Sequence, residues 1–223
     1  MIWDWKDAKL WIKRQFVKEP FEGDYPTVGK YNFPQLAQAN YLPEEPVFPF
    51  NYLKSKINEG CYWYHCFTAE RNFHRIYKNF GEYEEFFPKI KGLISADFNM
   101  YRDYDEKILI DNCLKNRMVD YALQKAGIPM IPTAGFAGES TWEWCFDGLP
   151  TNSTVAVTTN TLYDKESNRL FIGGINAMVE KLQPTVIVVC GKCPEWIAKK
   201  FPDIQVIKIP NYIEMVNAVR RKN

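Results

Sequence analysis

No apolar run in this chain approaches the roughly 20 residues that a helix needs to cross a bilayer, so no membrane-spanning segment is expected. The first 18 residues carry Trp3, Trp5, Trp11, Lys13 and Arg14 and lack both the apolar stretch and the cleavage site of a signal peptide. The expected location is therefore the cytoplasm. Neither sign of charge dominates, since 28 lysines and arginines stand against 27 acids for a formal net charge of +1. That balance removes the strong nonspecific pull toward nucleic acid or an anionic membrane, leaving only a local patch as a source of it. Histidine is scarce, with His65 and His74 the two in the chain. Cys190 and Cys193 have the spacing of a zinc or redox half-site, but no second Cys/His pair at zinc-ribbon spacing accompanies them, so no metal site is expected. The Gly135–Gly138 stretch could seat a phosphate on backbone donors at a helix start, but it lacks the Gly-Lys-Ser/Thr of a P-loop and the full dinucleotide spacing, and the expected reading is a plain loop with Ser140 or Thr141 as N-cap. No cofactor is identified.

Six cysteines are present, yet Cys61, Cys66, Cys113, Cys145 and Cys190 fall within strand-like or helical patterns, where a thiol behaves as a small buried hydrophobe. No disulfide is expected. A reactive Cys193 would need a helix N-terminus, whose dipole together with Lys192 would lower its pKa, but redox or metal chemistry is not the expected reading. His65 and Cys66 are adjacent in a strand and face opposite sides, which defeats a simple Cys-His dyad.

What the chain does have is an ordinary globular composition, 46% hydrophobic and 25% charged, and enough length for one domain with a small appendage. Residues 19–50 hold Pro20, Pro26, Pro34, Pro43, Pro46 and Pro49, which disfavour long helices and central strands. Phe21, Tyr25, Tyr31, Phe33, Tyr41, Phe48 and Phe50 give this stretch apolar anchors. The expected organisation is thus an N-terminal helix and extended arm over 1–59, packed on an α/β domain over 60–223. Short β-branched runs at Gly92–Asp97, Ile128–Thr133, Ser153–Thr159, Thr185–Cys190 and Ile204–Ile209 follow a first strand at Cys61–Phe67. Helical patterns lie between them, the clearest from about Glu106 to Lys125, with a short one at Tyr83–Ile90. Strands alternating with helices predict a parallel sheet of about six strands with βα crossovers, a partial or distorted βα barrel. Gly173 and Gly174 are expected to permit close helix packing, and Trp142, Trp144 and Phe146 to be core or rim aromatics.

The segments Ile94–Tyr101 and Trp142–Pro150 resemble the signature segments of the family called domain of unknown function 4417. The likeness extends through Gly127–Pro132, Asn152–Val157 and Val189–Gly191, and covers roughly residues 60–192. It implies an origin in phages, plasmids or integrated mobile elements, and no particular reaction. If a phage encodes the chain, the cytoplasm expected for it is that of the host cell. The family's first strand is followed by two acids where this chain has Ala69 and Glu70, so one acid is missing; Asn99, Lys115-Asn116-Arg117 and Asn160 are further departures.

In parallel α/β folds ligands gather at the carboxyl ends of the strands. Asp97 ends an apolar strand there, as a ligand group or as a helix or turn cap. Asn99, Thr133, Thr159, Asn160, Lys192 and Asn211 follow their own strands and would converge on the same rim. On the 106–125 helix, Asn112 and Asn116 share one face, and Arg117 is expected near it, either pairing with Asp97, binding an anion or forming a structural salt bridge. Three classes of function stay open. The first is a protein that binds or processes a small anionic or nucleotide-like ligand through these residues, with whether it is an enzyme left open. The second is an effector that inhibits a host defence or replication protein through its aromatic arm. The third is a nucleic-acid accessory factor using Arg71, Arg75, Lys78 and Arg220-Arg221-Lys222.

Overall fold

The computed structural model of the chain describes residues 25–220. The expected N-terminal helix, the anchor Phe21 and the basic pair Arg221-Lys222 lie outside them. Among the described residues, seven parallel strands follow one another in chain order and form two sheets. In the first, β3 (Val47–Pro49), β4 (Trp63–His65), β5 (Gly92–Ile94) and β6 (Met130–Ile131) are neighbours in that order; in the second, β7 (Thr154–Thr158), β8 (Val186–Cys190) and β9 (Gln205–Ile209) are. A small antiparallel pair, β1 (Thr27–Val28) and β2 (Phe33–Pro34), precedes them.

The expected single sheet of about six strands differs from this in two ways, each traceable to proline. The additional strand, β3, lies inside the proline-rich stretch. It sits at a sheet edge, where a missing backbone donor is tolerated. The division into two sheets falls at Pro132, which cannot donate to a ladder. Beside it a single bridge, Thr133 with Ala156, joins the sheets, with Ala134 N–H donating to the Ala156 carbonyl at 2.8 Å and Ala156 N–H to that of Pro132 at 2.9 Å.

Alternation along β7 and β8 shows how the sheet is covered. Val155, Val157, Ile187 and Val189 pack with Phe171, Ile175 and Met178 of the Lys165–Leu182 helix and with Leu109 of the Glu106–Lys125 helix. Ala156, Val186, Val188 and Cys190 face the other way, into a cluster with Val47, Trp63, Ile94, Ile131 and Ile209 that draws on all seven parallel strands. Period-two alternation with both faces buried is what a parallel sheet requires. The helix expected over 106–125 is present with those ends. The one expected over Tyr83–Ile90 is instead two 3₁₀ turns, Phe80–Tyr83 and Phe87–Lys89, with Pro88 removing a donor inside the second.

Much of residues 25–50 is tied down. Phe33 and Phe50 are buried, Tyr25 rests on Tyr121 at 5.4 Å between ring centres, and Tyr41 is exposed. The Gln124 carboxamide donates to the Ala37 carbonyl at 2.8 Å and accepts from the Ala37 N–H at 3.0 Å, while Ser153 Oγ makes the same two-way contact with Ala39. All six cysteines are free thiols, and Cys61 is exposed ahead of β4 rather than within it. Among the described residues no helix is long and apolar enough to cross a membrane.

Candidate functional site

Three strand ends build one cleft. The segments after β5, β6 and β7 line a cavity of about 390 Å³ with Asp97, Asn99 to Asp103, Thr133 to Ala137, Val157, Thr158 and Thr161 to Asp164, closed on the remaining side by Ser167, Leu170 and Phe171 of the Lys165–Leu182 helix. Its position, at the carboxyl edge of parallel strands, is the one predicted from the strand pattern. The walls are largely apolar, through Met100, Tyr101, Phe136, Leu162, Tyr163 and Phe171. Phe136 is held by a glycine. A Cβ at Gly174 would collide with its ring, and one at Gly173 with the ring of Trp142, so this pair does permit close packing against the helix.

Asp97 is half-buried in this cleft, and among the described residues its carboxylate has no hydrogen-bond partner. Burial pushes its pKa up to about 7, with the charge of nearby Glu70 adding to the shift. Glu70, the acid that remains where the family resemblance implies two, accepts a hydrogen bond from Asn99 Nδ2 at 3.0 Å. The loop carrying Asp97 is stapled from the 106–125 helix: Asn116 Oδ1 accepts from the Phe98 N–H at 2.9 Å and Asn112 Nδ2 donates to the Asn99 carbonyl at 2.8 Å. Two asparagines four apart on one helix face thus fix the backbone that follows Asp97. The cap reading of Asp97 finds no partner here.

At the mouth, the Arg102 guanidinium forks onto Asp164 at 3.2 and 2.9 Å, joining the loop after β5 to the loop after β7. Asp164 also caps the Lys165–Leu182 helix in a reciprocal pair with Ser167. Arg102 and Ser167 hold its carboxyl well below the usual carboxylate range.

Arg117 does not line this cleft. It is 1% exposed and spent on backbone, donating from Nε to the Asp147 carbonyl at 2.9 Å and from its terminal nitrogens to Cys145 at 2.7 Å and Thr133 at 3.4 Å. Its ion-pair partner is Asp120 at 3.7 Å, one turn along the helix, not Asp97. Burial pushes Asp120 up to about 7, against the opposing pull of Arg117 and Ser95.

Thr133 lines the cleft with its hydroxyl donated to the Ser95 carbonyl at 3.2 Å. Thr159 and Asn160 belong to a different polar knot, with Thr159 Oγ1 donating to the Cys190 carbonyl, Asn211 Nδ2 donating to Asn160 Oδ1 at 3.0 Å, and Asn160 Nδ2 reaching the Phe67 carbonyl. Lys192 is exposed and does not line the cleft. Cys193 lacks the lowered pKa that a reactive thiol would need: burial raises it, outweighing nearby Lys208. Thr141 acts locally, accepting from the Ala137 N–H at 3.1 Å after the Gly135–Gly138 loop. No group of three or more metal-ligating side chains exists among the described residues.

Sequence reasoning missed Tyr101, Arg102, Asp103, Thr158, Tyr163 and Asp164. For Asp164 there was a signal, an Asp with Ser three positions on at the start of a helix pattern. Arg102 had none, because its partner is 62 residues away.

A family model fits residues 25–210, which include every strand of both parallel sheets. The chain belongs to the family described as Domain of unknown function (DUF4417). Relatives include a "Gene 1 protein" of Mycobacterium phage D29, 23% identical over 195 residues, 84% of this chain and 70% of that protein. A "Gene 1 protein" of Mycobacterium phage L5 is 26% identical over 125 residues, 56% of this chain and 54% of that protein. No solved structure matches.

Proposed function

We propose that this is a phage accessory protein whose cleft at the carboxyl edge of β5, β6 and β7 takes a small molecule, and that Asp97 is the side chain that meets it. The single observation behind this is a half-buried carboxylate in a preformed, mostly apolar cavity with no protein hydrogen bond of its own among the described residues. An aspartate titrating near 7 holds or releases a proton under cellular conditions, as a general acid or base must. The cavity falls within the range of roughly 300–1,000 Å³ typical of small-molecule sites. The architecture supports the same address: seven consecutive parallel strands sharing one interior cluster make, on this reading, a partial βα barrel, a fold that builds its sites at the carboxyl face. The site then consists of Asp97, Asn99 and Thr133, with Asn112 as a positioning residue and Arg117 as structural support.

The effector reading would place the aromatic arm on a partner. Among the described residues of the arm, Phe33 and Phe50 are buried and Tyr25, Tyr31 and Phe48 partly so, which leaves Tyr41 as the exposed aromatic for such a contact.

Ligand-detected NMR with a fragment library tests the proposal when the parent is compared with Thr161→Trp, a change at an exposed residue of the cleft wall. The expected result is a set of binders lost in the variant. A library in which every binder treats the two proteins alike would overturn the cleft as a site.

A further inference from the structure

Resting on that reading of the cleft, we infer that its ligand is a planar nitrogen heterocycle, uncharged or cationic, whose edge presents two adjacent N–H donors to the Asp97 carboxylate, as the cyclic guanidine edge of guanine does. What the cleft has left to offer narrows the choice. Arg102 is the single Lys, Arg or His among the lining residues, and both its terminal nitrogens are on Asp164. Three carboxylates, Asp97, Asp103 and Asp164, face that one cation, so an anionic ligand would enter a site with neither a free cation nor a favourable field. This turns against the small anionic ligand expected from Arg117 and Lys192, neither of which reaches the cleft.

The other polar side chains near the floor are committed. Asn99 donates to Glu70, Thr133 to the Ser95 carbonyl and Thr158 to the Cys190 carbonyl. Asp97 remains as an unmatched acceptor. A carboxylate is satisfied by paired, parallel N–H donors, the fork geometry that a guanidinium supplies and that a cyclic guanidine reproduces in a flat ring. The walls suit the rest of such a ring: Tyr101, Phe136, Tyr163 and Phe171 offer aromatic faces, and Tyr163 is 86% exposed at the rim, where a ligand would cover it.

A second readout follows from linkage. Because Asp97 titrates near 7 in the free protein, and donors favour its ionised form, binding must expel a proton whenever the pH lies below that value. Affinity for a neutral donor ligand therefore rises as pH goes from about 6 to about 8.

Isothermal titration of the full chain decides the matter with two matched pairs, guanosine against inosine and 2-aminobenzimidazole against benzimidazole, plus inorganic phosphate. At least one amino compound is expected to bind about tenfold or more tightly than its partner lacking the amino group, to release protons near pH 6, and to lose that advantage in Asp97→Asn. Equal binding within both pairs, no binding by either, or an advantage that survives Asp97→Asn would overturn the donor-pair inference. Phosphate bound in preference to all four, and lost in Thr161→Trp, would overturn the ligand class while leaving the cleft as a site. Loss of the cleft itself is reported separately by the fragment comparison. A cooperative melting transition in Asp97→Asn, at or above the temperature of the parent, confirms that each titration is made on folded protein.

Discussion

Asp97 and Arg117 come from neighbouring parts of the sequence, the loop after β5 and the helix that follows it, yet they are opposites. Asp97 has a place in a cavity and, among the described residues, no hydrogen-bond partner; Arg117 has no place in the cavity and three carbonyls and a carboxylate as partners. A saturated buried charge holds a fold together, whereas an unsaturated one costs stability and is available to a ligand. The difference lies in what surrounds each group, and it can be broken apart by substitution.

The largest effect is expected from Arg117→Met. It leaves the carbonyls of Asp147, Cys145 and Thr133 without these donors and Asp120 without its cation, in a site that is fully buried. Removing one partner of such a network costs about 3–5 kcal/mol. Chemical denaturation should show a loss of that order or an unfolded protein; a loss under about 1 kcal/mol would mean that Arg117 is not the structural member of the pair.

A pH series sharpens the same contrast from the acid side. Asp120 is fully buried, and burial raises its pKa from the ordinary 3.8 to about 7. The unfolded chain therefore ionises first, and the stability that the protonated carboxyl contributes is fully present below about pH 4 and lost as pH rises through about 7. Asp120→Asn does not titrate. Its stability relative to the parent should improve by roughly 2–4 kcal/mol between about pH 4.5 and pH 7.5, since each tenfold difference in acidity between the folded and unfolded chain is worth about 1.4 kcal/mol. Urea midpoints of the two proteins that stay parallel across that window would show the Arg117–Asp120 pair to be ionised in both states.

Much of the fold was legible, and the reasons are local. The 106–125 helix and strands β7, β8 and β9 are long enough for periodicity to locate them, and Pro132 and the edge strand β3 are where periodicity failed because a missing donor, not a side-chain pattern, decides the structure. One rule, that polar residues at the carboxyl ends of parallel strands converge, points to Asp97, Asn99 and Thr133, and all three line the cleft. The same rule does not divide the rim: it puts Thr159, Asn160 and Lys192 beside them, whereas the end of β7 sends Thr158 to the cleft, Thr159 to the Cys190 carbonyl and Asn160 to Asn211. Arg117 failed differently. A helix pattern gives the face on which a residue lies, but not that carbonyls from a loop 28 to 30 residues downstream and from the end of β6 are waiting on that face.

A smaller effect is expected from Gly174→Ala, which tests whether the cleft wall is built as firmly as the arginine knot. The added methyl would run into the Phe136 ring, so either the ring or the helix must move. Overpacking of this kind costs typically about 1–3 kcal/mol, and alanine's better helix propensity returns up to about 1 kcal/mol of it. A net loss near 1–2 kcal/mol by thermal unfolding is expected, together with displaced Phe136 resonances. A stabilised variant would show that Phe136 yields freely and that the cleft is not preformed.

The smallest change in stability belongs to Asp97→Asn. If Asp97 serves the fold, its loss should leave donors stranded, but among the described residues it has none to strand. Asparagine is close in size and removes the cost of keeping a carboxyl beside Glu70 away from water. The Asp97 pKa is raised as far as that of Asp120, but Asp97 is half-exposed where Asp120 is sealed, so water screens most of the corresponding cost: melting should match the parent below about pH 5 and lie no more than about 1 kcal/mol on the stabilised side above about pH 7. The sign matters more than the size, because residues that serve a ligand at the expense of the fold gain stability when neutralised. A variant destabilised by more than about 2 kcal/mol at any pH would make Asp97 a structural residue like Arg117, and the contrast between the two would disappear.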